Sequence, residues 1–231
     1  MGIDHLLFFI AAGILLNLTP GPDVLYIVTN ALRSGARAGV VAAFGITAGC
    51  FVHIFAAAVG VSALMAASAT AFAVLKWGGA AYLVYVGLRL LLARVPAAGQ
   101  SGAIDFEADQ PNGSGAMALK SIFFQGFWTN ALNPKVALFF LAFVPQFIPP
   151  GVENKPLAFL LLGLLFNFNG LWVNVGWALA AAWLARRVGA ASTPSDERGG
   201  LIPGMHWLER AAGLMFIGFG VKLAFSDNPV N

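Results

Sequence analysis

Between Arg37 and Arg89 the chain carries a single charged side chain, Lys76. A stretch of that length is too long for one membrane-crossing helix, which needs about 20 residues, and too apolar to face water, so it must form a hairpin of two buried helices. Composition gives the same answer for the rest of the chain. Of 231 residues, 59% are hydrophobic and 10% charged, against about 25% charged in soluble domains. The sequence specifies an integral membrane protein built from helices.

Two proline motifs interrupt this apolar background. Thr19-Pro20-Gly21-Pro22-Asp23 sits near the middle of the first apolar segment, and Asn133-Pro134-Lys135 near the middle of a later one. Proline removes a backbone donor and clashes with the preceding turn, so two prolines around a glycine break a helix rather than bend it. Broken backbone at membrane depth survives only against protein or a watery cavity. Each break also carries an ionisable group, Asp23 or Lys135, and charges within spans mark function. Paired interrupted spans in two halves of a chain point to a transporter's binding site.

In order, the pattern predicts six spans. Span one runs over about 4–31 and ends at Arg33-Ser34-Gly35-Ala36-Arg37; spans two and three cover about 39–65 and 71–92, joined tightly across Met65–Thr70. Gly45 and Gly49 in span two form a GxxxG spacing, read as close helix packing. Residues 94–120, rich in Pro, Gly and Ser with Asp105, Glu107 and Asp109, read as a flexible linker. Span four covers about 120–144, span five about 156–185, and span six about 205–225 after a polar loop. Span six holds both Arg210 and Lys222, so a five-span arrangement stays open. The expected fold is all-α, a single membrane domain of two three-helix repeats, 1–93 and 121–231, with helices 1 and 4 interrupted. Three spans per repeat is an odd number, so the repeats are inverted.

Lysine and arginine set the orientation. Arg33, Arg37, Arg89, Arg94, Lys120, Arg186, Arg187, Arg198 and Arg210 fall on one side; Lys76, Lys155 and Lys222 fall on the other. That bias places linkers 33–37, 94–120 and 186–204 in the cytoplasm and both termini outside. The N-terminus has no basic region or small-residue cleavage site of a cleaved signal peptide.

The chemistry is read from the breaks. Asp23 opens a half-helix, where a carboxylate caps the N-terminus and can also hold a proton or an amine. Lys135 sits at a helix N-terminus, the wrong end for a cation, and so is either an anion site or the partner of Asp23 in an internal salt bridge. A zwitterionic amino acid fits between them, amine toward Asp23 and carboxylate toward Lys135. Asn17, Thr19, Gln125, Asn130 and Asn133 flank the breaks. They serve substrate and proton coupling, or satisfy backbone that the prolines leave free. Pro20, Gly21, Pro22 and Pro134 are the hinge candidates. His53 is a candidate proton relay, or a packing histidine. Asn167 and Asn174 share a face of span five, and Asn169 points elsewhere.

Several classes are excluded or disfavoured. The lone Cys50 forms no intramolecular disulfide and leaves a thiol-electron carrier without its second cysteine. There is no GxxxxGK[ST] loop for ATP and no HExxH or His/Cys cluster for a metal, so no cofactor, metal or enzymatic activity is expected, and the scattered basic residues do not suggest nucleic acid.

At Leu18-Thr19-Pro20-Gly21-Pro22-Asp23, the Gly35/Gly39/Gly45/Gly49 ladder leading to His53, Asn133-Pro134-Lys135 and Pro145-Gln146-Phe147, the chain resembles the LysE/RhtB amino-acid exporters. The resemblance covers nearly the whole chain. It implies a bacterial inner-membrane secondary transporter that exports amino acids or their derivatives, driven by protons. It lends weight to Pro20, Pro22, Asp23, Asn133 and Pro134. Protons, an amino-acid substrate and membrane lipid are then the expected partners, and a homodimer is compatible with the sequence. The competing readings are a divalent metal-ion exporter and a non-transporting membrane scaffold.

Overall fold

The computed structural model describes residues 3–92, 115–149 and 151–189, then 210, 213–214, 217–218, 220–221 and 224–225. Among the described residues there is no strand. The helices are α1 (Ile3–Leu18), α2 (Pro22–Ala56), α3 (Ser62–Ala67), α4 (Ala69–Leu92), α5 (Gly115–Ala131), α6 (Pro134–Leu138) and α7 (Lys155–Gly189). Five-residue π-helical segments follow α2 (Ala57–Val61) and α6 (Phe139–Phe143), and a 3₁₀ turn, Val144–Phe147, closes the second of these runs.

The apolar run Pro22–Leu64 is 43 residues long, about 65 Å if straight and so about twice the hydrocarbon thickness. It is not straight. Gly35 adopts φ 83° and ψ 178° within α2, a positive φ that glycine takes without strain. The chain folds back there. A Cβ on Gly39 would lie 3.2 Å from the Cα of Ala31, whereas residues eight apart on one helix are separated by about 12 Å. The polar turn expected at 33–37 is therefore this reversal.

By length and composition, Pro22–Leu64 and Lys155–Arg187 can cross a membrane, and a third crossing is added if Met117–Ala131 and Pro134–Phe147, bent by 45°, count as one. More than half of span six and most of linker 94–120 lie outside the described residues, as does most of 186–204; the described positions of span six are helical. At the linker's end the structure differs from the sequence reading: residues 115–120 are the first turns of α5. Gly115-Ala116-Met117-Ala118-Leu119-Lys120 is mostly good helix formers, and the acidic, proline-containing part lies upstream.

Glycines set the helix spacing. In α2, Gly45 faces the carbonyl of Phe123 and Gly49 that of Phe127, while Gly126 of α5 faces Ala42 O, where a Cβ would sit 2.9 Å away. The GxxxG spacing thus packs α2 backbone against α5 backbone. Elsewhere Gly13 of α1 abuts Phe166 of α7, and Gly170 of α7 abuts Asn17. Gly87 of α4 abuts Gly213 and Ile217, and Gly220 abuts Ala80 and Val84. Without a hydrophobic drive between helices in lipid, such close van der Waals contact is what holds them.

Two kinds of apolar surface result. Phe9, Phe139, Phe143, Phe147 and Phe166 form a buried aromatic cluster, with Phe139 and Phe166 centroids 4.5 Å apart. Phe44, Phe55, Trp128, Phe168, Trp172 and Trp183 point outward and are exposed. Exposed apolar side chains of that number and size suit hydrocarbon rather than water.

Candidate functional site

The site forms where two helix ends meet two helix starts. Helix α1 ends at Leu18, and the Thr19 hydroxyl donates to Leu15 O at 2.7 Å. Gly21 is extended and precedes Pro22 at the first turn of α2. Downstream, α5 ends at Ala131 and Asn133 is the N-cap of α6, its Oδ1 accepting from the Lys135 amide at 3.0 Å. Proline at the first helical position has no amide to leave unpaired and has φ already set for a helix. Both proline motifs therefore start helices.

These ends bring three buried polar side chains together: Asp23 (7% exposed), Asn130 (3%) and Asn133 (2%). Asn130 Nδ2 donates to Asp23 Oδ2 at 2.8 Å, and Asn133 faces the same carboxylate without completing a hydrogen bond. Three atoms of this cluster have no partner: Asp23 Oδ1, Asn130 Oδ1 and Asn133 Nδ2. Buried polar atoms are normally paired, and leaving one unmade costs about 1–3 kcal/mol. Asn133 Nδ2 and the Asp23 carboxylate are a complementary donor and acceptor, so the cluster is arranged around that carboxylate.

His53 and Lys135 lie within electrostatic range of Asp23. His53 Nε2 lies 2.8 Å from Asn130 O. A carbonyl only accepts, so Nε2 carries the hydrogen. The ring also stacks on Phe140 at 6.3 Å. The link from His53 to Asp23 runs through the backbone of Asn130 on one side and its side chain on the other. These bonds position the groups around the carboxylate.

Lys135 does something the sequence did not reveal. Its Nζ donates to Thr19 O at 3.1 Å and Leu16 O at 3.3 Å. It caps the C-terminal end of α1, where a helix is negative, and so ties one break to the other. A Cβ on Gly21 would lie 3.0 Å from that nitrogen, so the absent side chain is what makes room for the ammonium. Of the two readings the sequence left open for Lys135, a direct ion pair with Asp23 is not among the contacts of the described residues, although the two groups lie within electrostatic range. The sequence did hold the signal, since a lysine misplaced at its own helix's N-terminus needs another helix's C-terminus.

The remaining expected residues separate. Asn17 donates to Gly13 O at 2.9 Å within its own helix, and Thr19 likewise turns back on α1. The single hydroxyl hydrogen of Tyr26 goes to Ile122 O at 2.8 Å, with Gln125 Oε1 as a second, weaker acceptor at 3.3 Å. Asn167 Nδ2 donates to Thr47 O at 3.2 Å, joining α7 to α2. Asn167 and Asn174 are buried and Asn169 is half-buried. Among the described residues, no three His, Cys, Asp or Glu side chains gather as metal ligands.

Comparison with known proteins places this architecture. A homoserine/homoserine lactone efflux protein of Salmonella typhimurium is 31% identical over 218 residues, 94% of each chain. A leucine efflux protein of Salmonella choleraesuis is 26% identical over 223 residues, 96% of each chain. An uncharacterized membrane protein of Vibrio cholerae is 30% identical over 224 residues, covering 97% of this chain and 98% of its own. No solved structure gives a significant match. The family model for the LysE type translocator matches residues 14–227, a span that takes in both proline motifs and the buried cluster between them: the chain belongs to the LysE type translocator family.

Proposed function

We propose that this chain is a secondary transporter that exports amino acids or their derivatives across the bacterial inner membrane, in exchange for protons, by alternating access. The observation that carries the reading is the buried carboxylate of Asp23, half satisfied, at the junction of two helix breaks. Its free oxygen can take a proton or an ammonium, but not both at once. Competition for one oxygen couples the two fluxes in opposite directions. Two relatives named as efflux proteins for homoserine or its lactone and for leucine support the substrate class.

In this reading α1 with the first part of α2, and α5 with α6, are interrupted spans one and four of a six-span protein. Its two inverted repeats are 1–93 and 121–231, joined through 94–120, with both termini outside. Paired contacts support the repeat. One constant shift along the chain carries Gly87, Val84 and Ala80 onto Gly220, Ile217 and Gly213, and each glycine abuts the other repeat's remaining two. Gly13 and Asn17 match Gly126 and Asn130 by a different shift, shorter by 20 positions. Opening would hinge at Pro20, Gly21, Pro22 and Pro134. It would require Lys135 to release the Leu16 and Thr19 carbonyls, and the phenylalanine cluster around Phe9 to part. Asp23 carries the proton; Asn130, Asn133 and His53 hold its surroundings; Thr19 and Asn17 shape the end of α1. Lipid surrounds the protein, and the proposal requires no second copy.

The test is efflux from proteoliposomes loaded with a labelled amino-acid mixture, with and without an imposed proton gradient. Gradient-dependent loss of one or two species is expected. Failure to lose any species, from vesicles shown to contain folded protein, would overturn the proposal.

A further inference from the structure

Four arginines converge at one end of the molecule. The chain reverses at Gly35, and the two sides of that turn carry Arg33 and Arg37. Helix α7 carries Arg186 and Arg187 in its last turn. Ala36 packs against the cluster that holds Ala31, Ala181 and Ala182, and a Cβ on Gly39 would lie 3.0 Å from the Cβ of Ala178. The last turns of α7 therefore run alongside the reversal. Side chains on a helix lean toward its N-terminus. Arg187 does so, its guanidinium lying over the Trp183 ring at 4.9 Å from the centroid. At a rise of about 1.5 Å per residue from the Gly39–Ala178 contact, the Arg187 charge comes within about 5 Å, along the helix axes, of the level of Arg33 and Arg37. All four arginines are exposed.

No described carboxylate neutralises them. Asp4, Asp23 and Glu153 are the carboxylates among the described residues. Asp23 is buried at the helix breaks. Glu153 precedes the start of α7, and α1 runs parallel to α7, Gly13 meeting Phe166 and Asn17 meeting Gly170, so Asp4 lies at that far end too. Helix-end charge accounts for Arg186 and Arg187, but not for Arg37, in the first turn after the reversal, where a helix favours an anion. The surface beside the arginines is apolar: Leu32, Leu179, Trp183 and Leu184 are exposed. A soluble anion makes no use of that surface. A phospholipid does, its chains lying along it while its phosphate meets the arginines. Guanidinium suits phosphate because its paired N–H donors match two phosphate oxygens, and an exposed tryptophan beside the charges marks headgroup level.

We propose that the reversal of α2 and the end of α7 form a binding site for an anionic phospholipid. Arg33, Arg37, Arg186 and Arg187 hold its phosphodiester, and the exposed leucines and Trp183 line its chains. The site is separate from the buried cluster at the helix breaks and does not depend on what the protein transports.

The test is native mass spectrometry of the detergent-solubilised full chain, titrated with phosphatidylglycerol or with phosphatidylcholine of the same chains. Phosphatidylglycerol should bind roughly tenfold more tightly or better. The pair Arg33→Gln with Arg37→Gln, and the pair Arg186→Gln with Arg187→Gln, should each weaken it by roughly fivefold per arginine removed. The same pairs changed to lysine keep the charge and should keep the preference. Arg89→Gln removes an exposed arginine from α4, which packs against Phe139–Phe143 and the described part of span six, and should change nothing. Should a glutamine pair not fold, Arg37→Gln and Arg186→Gln singly give the same reading at fivefold. Equal binding of the two lipids would overturn the proposal, as would glutamine variants that bind like wild type or an equal loss in Arg89→Gln. Displacement of the lipid by an equal concentration of glycerol 3-phosphate would make this a soluble-anion site instead. A preference for phosphatidylglycerol that appears only after Asp105→Asn, Glu107→Gln and Asp109→Asn would assign the arginines to the chain's own carboxylates and overturn the lipid.

Discussion

Replacing Lys135 by methionine isolates the tie between the two helix breaks. Methionine has nearly the length of the lysine stem and no donor. The substitution removes two hydrogen bonds from an ammonium, at 3.1 and 3.3 Å, and leaves the carbonyls of Thr19 and Leu16 without them. Bonds involving a charged group contribute about 1.5–3 kcal/mol each, and their length here puts both at the low end, about 3 kcal/mol together. Relief from burying the charge offsets part of this. The net loss should be about 2 kcal/mol, or roughly 4–8 °C in melting temperature for a chain of this size. Nanodisc-embedded wild type and variant would be compared by thermal unfolding, with efflux measured in parallel. Lys135→Met should melt lower and leak or stall, because the end of α1 is no longer held. Gly21→Ala should move in the same direction by less, since its methyl group would crowd the ammonium without removing it. A Lys135→Met protein that melts with wild type and transports normally would refute the reasoning.

Four other outcomes follow from the same geometry. Asp23→Asn preserves shape but cannot exchange a proton for an ammonium, so pH-driven flux should vanish while the protein folds; unchanged flux would remove Asp23 from coupling. Gly35→Ala meets no atom within 4 Å, so its whole cost is the positive φ paired with an extended ψ, about 1–3 kcal/mol, readable as a lower melting temperature with transport unaffected. Gly45→Leu pushes a side chain into the backbone of Phe123; overpacking of about 1–3 kcal/mol or more should reduce the yield of folded protein, and a normal yield would show that α2 and α5 can separate cheaply. His53→Gln can still donate to Asn130 O and should transport, whereas His53→Ala loses about 1 kcal/mol or more; equal activity of both would show that the bond does nothing.

Much of this was legible in the chain because the membrane narrows the choices. The run from Arg37 to Arg89 allowed only a hairpin, and Gly35 sits in the polar turn that preceded it. Each proline motif announced a helix start. Asp23, Asn130 and Asn133 could be named from their places beside the breaks, but not that they would touch, because 107 positions separate Asp23 from Asn130. Packing between distant helices has no local signature. For the same reason the contacts of Lys135 could not be named: the sequence left an anion site and a salt bridge to Asp23 both open, and the structure adds helix-end carbonyls as its hydrogen-bond partners. For Asn17 and Thr19 the sequence left a site role and the satisfying of nearby backbone both open, and in the structure each side chain donates to a carbonyl of α1. The start of α5 was placed too late because composition shifts gradually from the acidic linker into Gly115–Lys120.

The central claim is that substrate amine and proton compete for one oxygen of Asp23. Its most direct test is proton release on substrate binding, followed with a pH dye in weakly buffered solution across a pH series, using nanodisc-embedded protein and the amino acid it exports. The account predicts release that grows as the pH falls into the range where Asp23 is protonated when empty, and none from Asp23→Asn. Substrate binding to the wild type with no release at any pH, or the same release from Asp23→Asn, would contradict it.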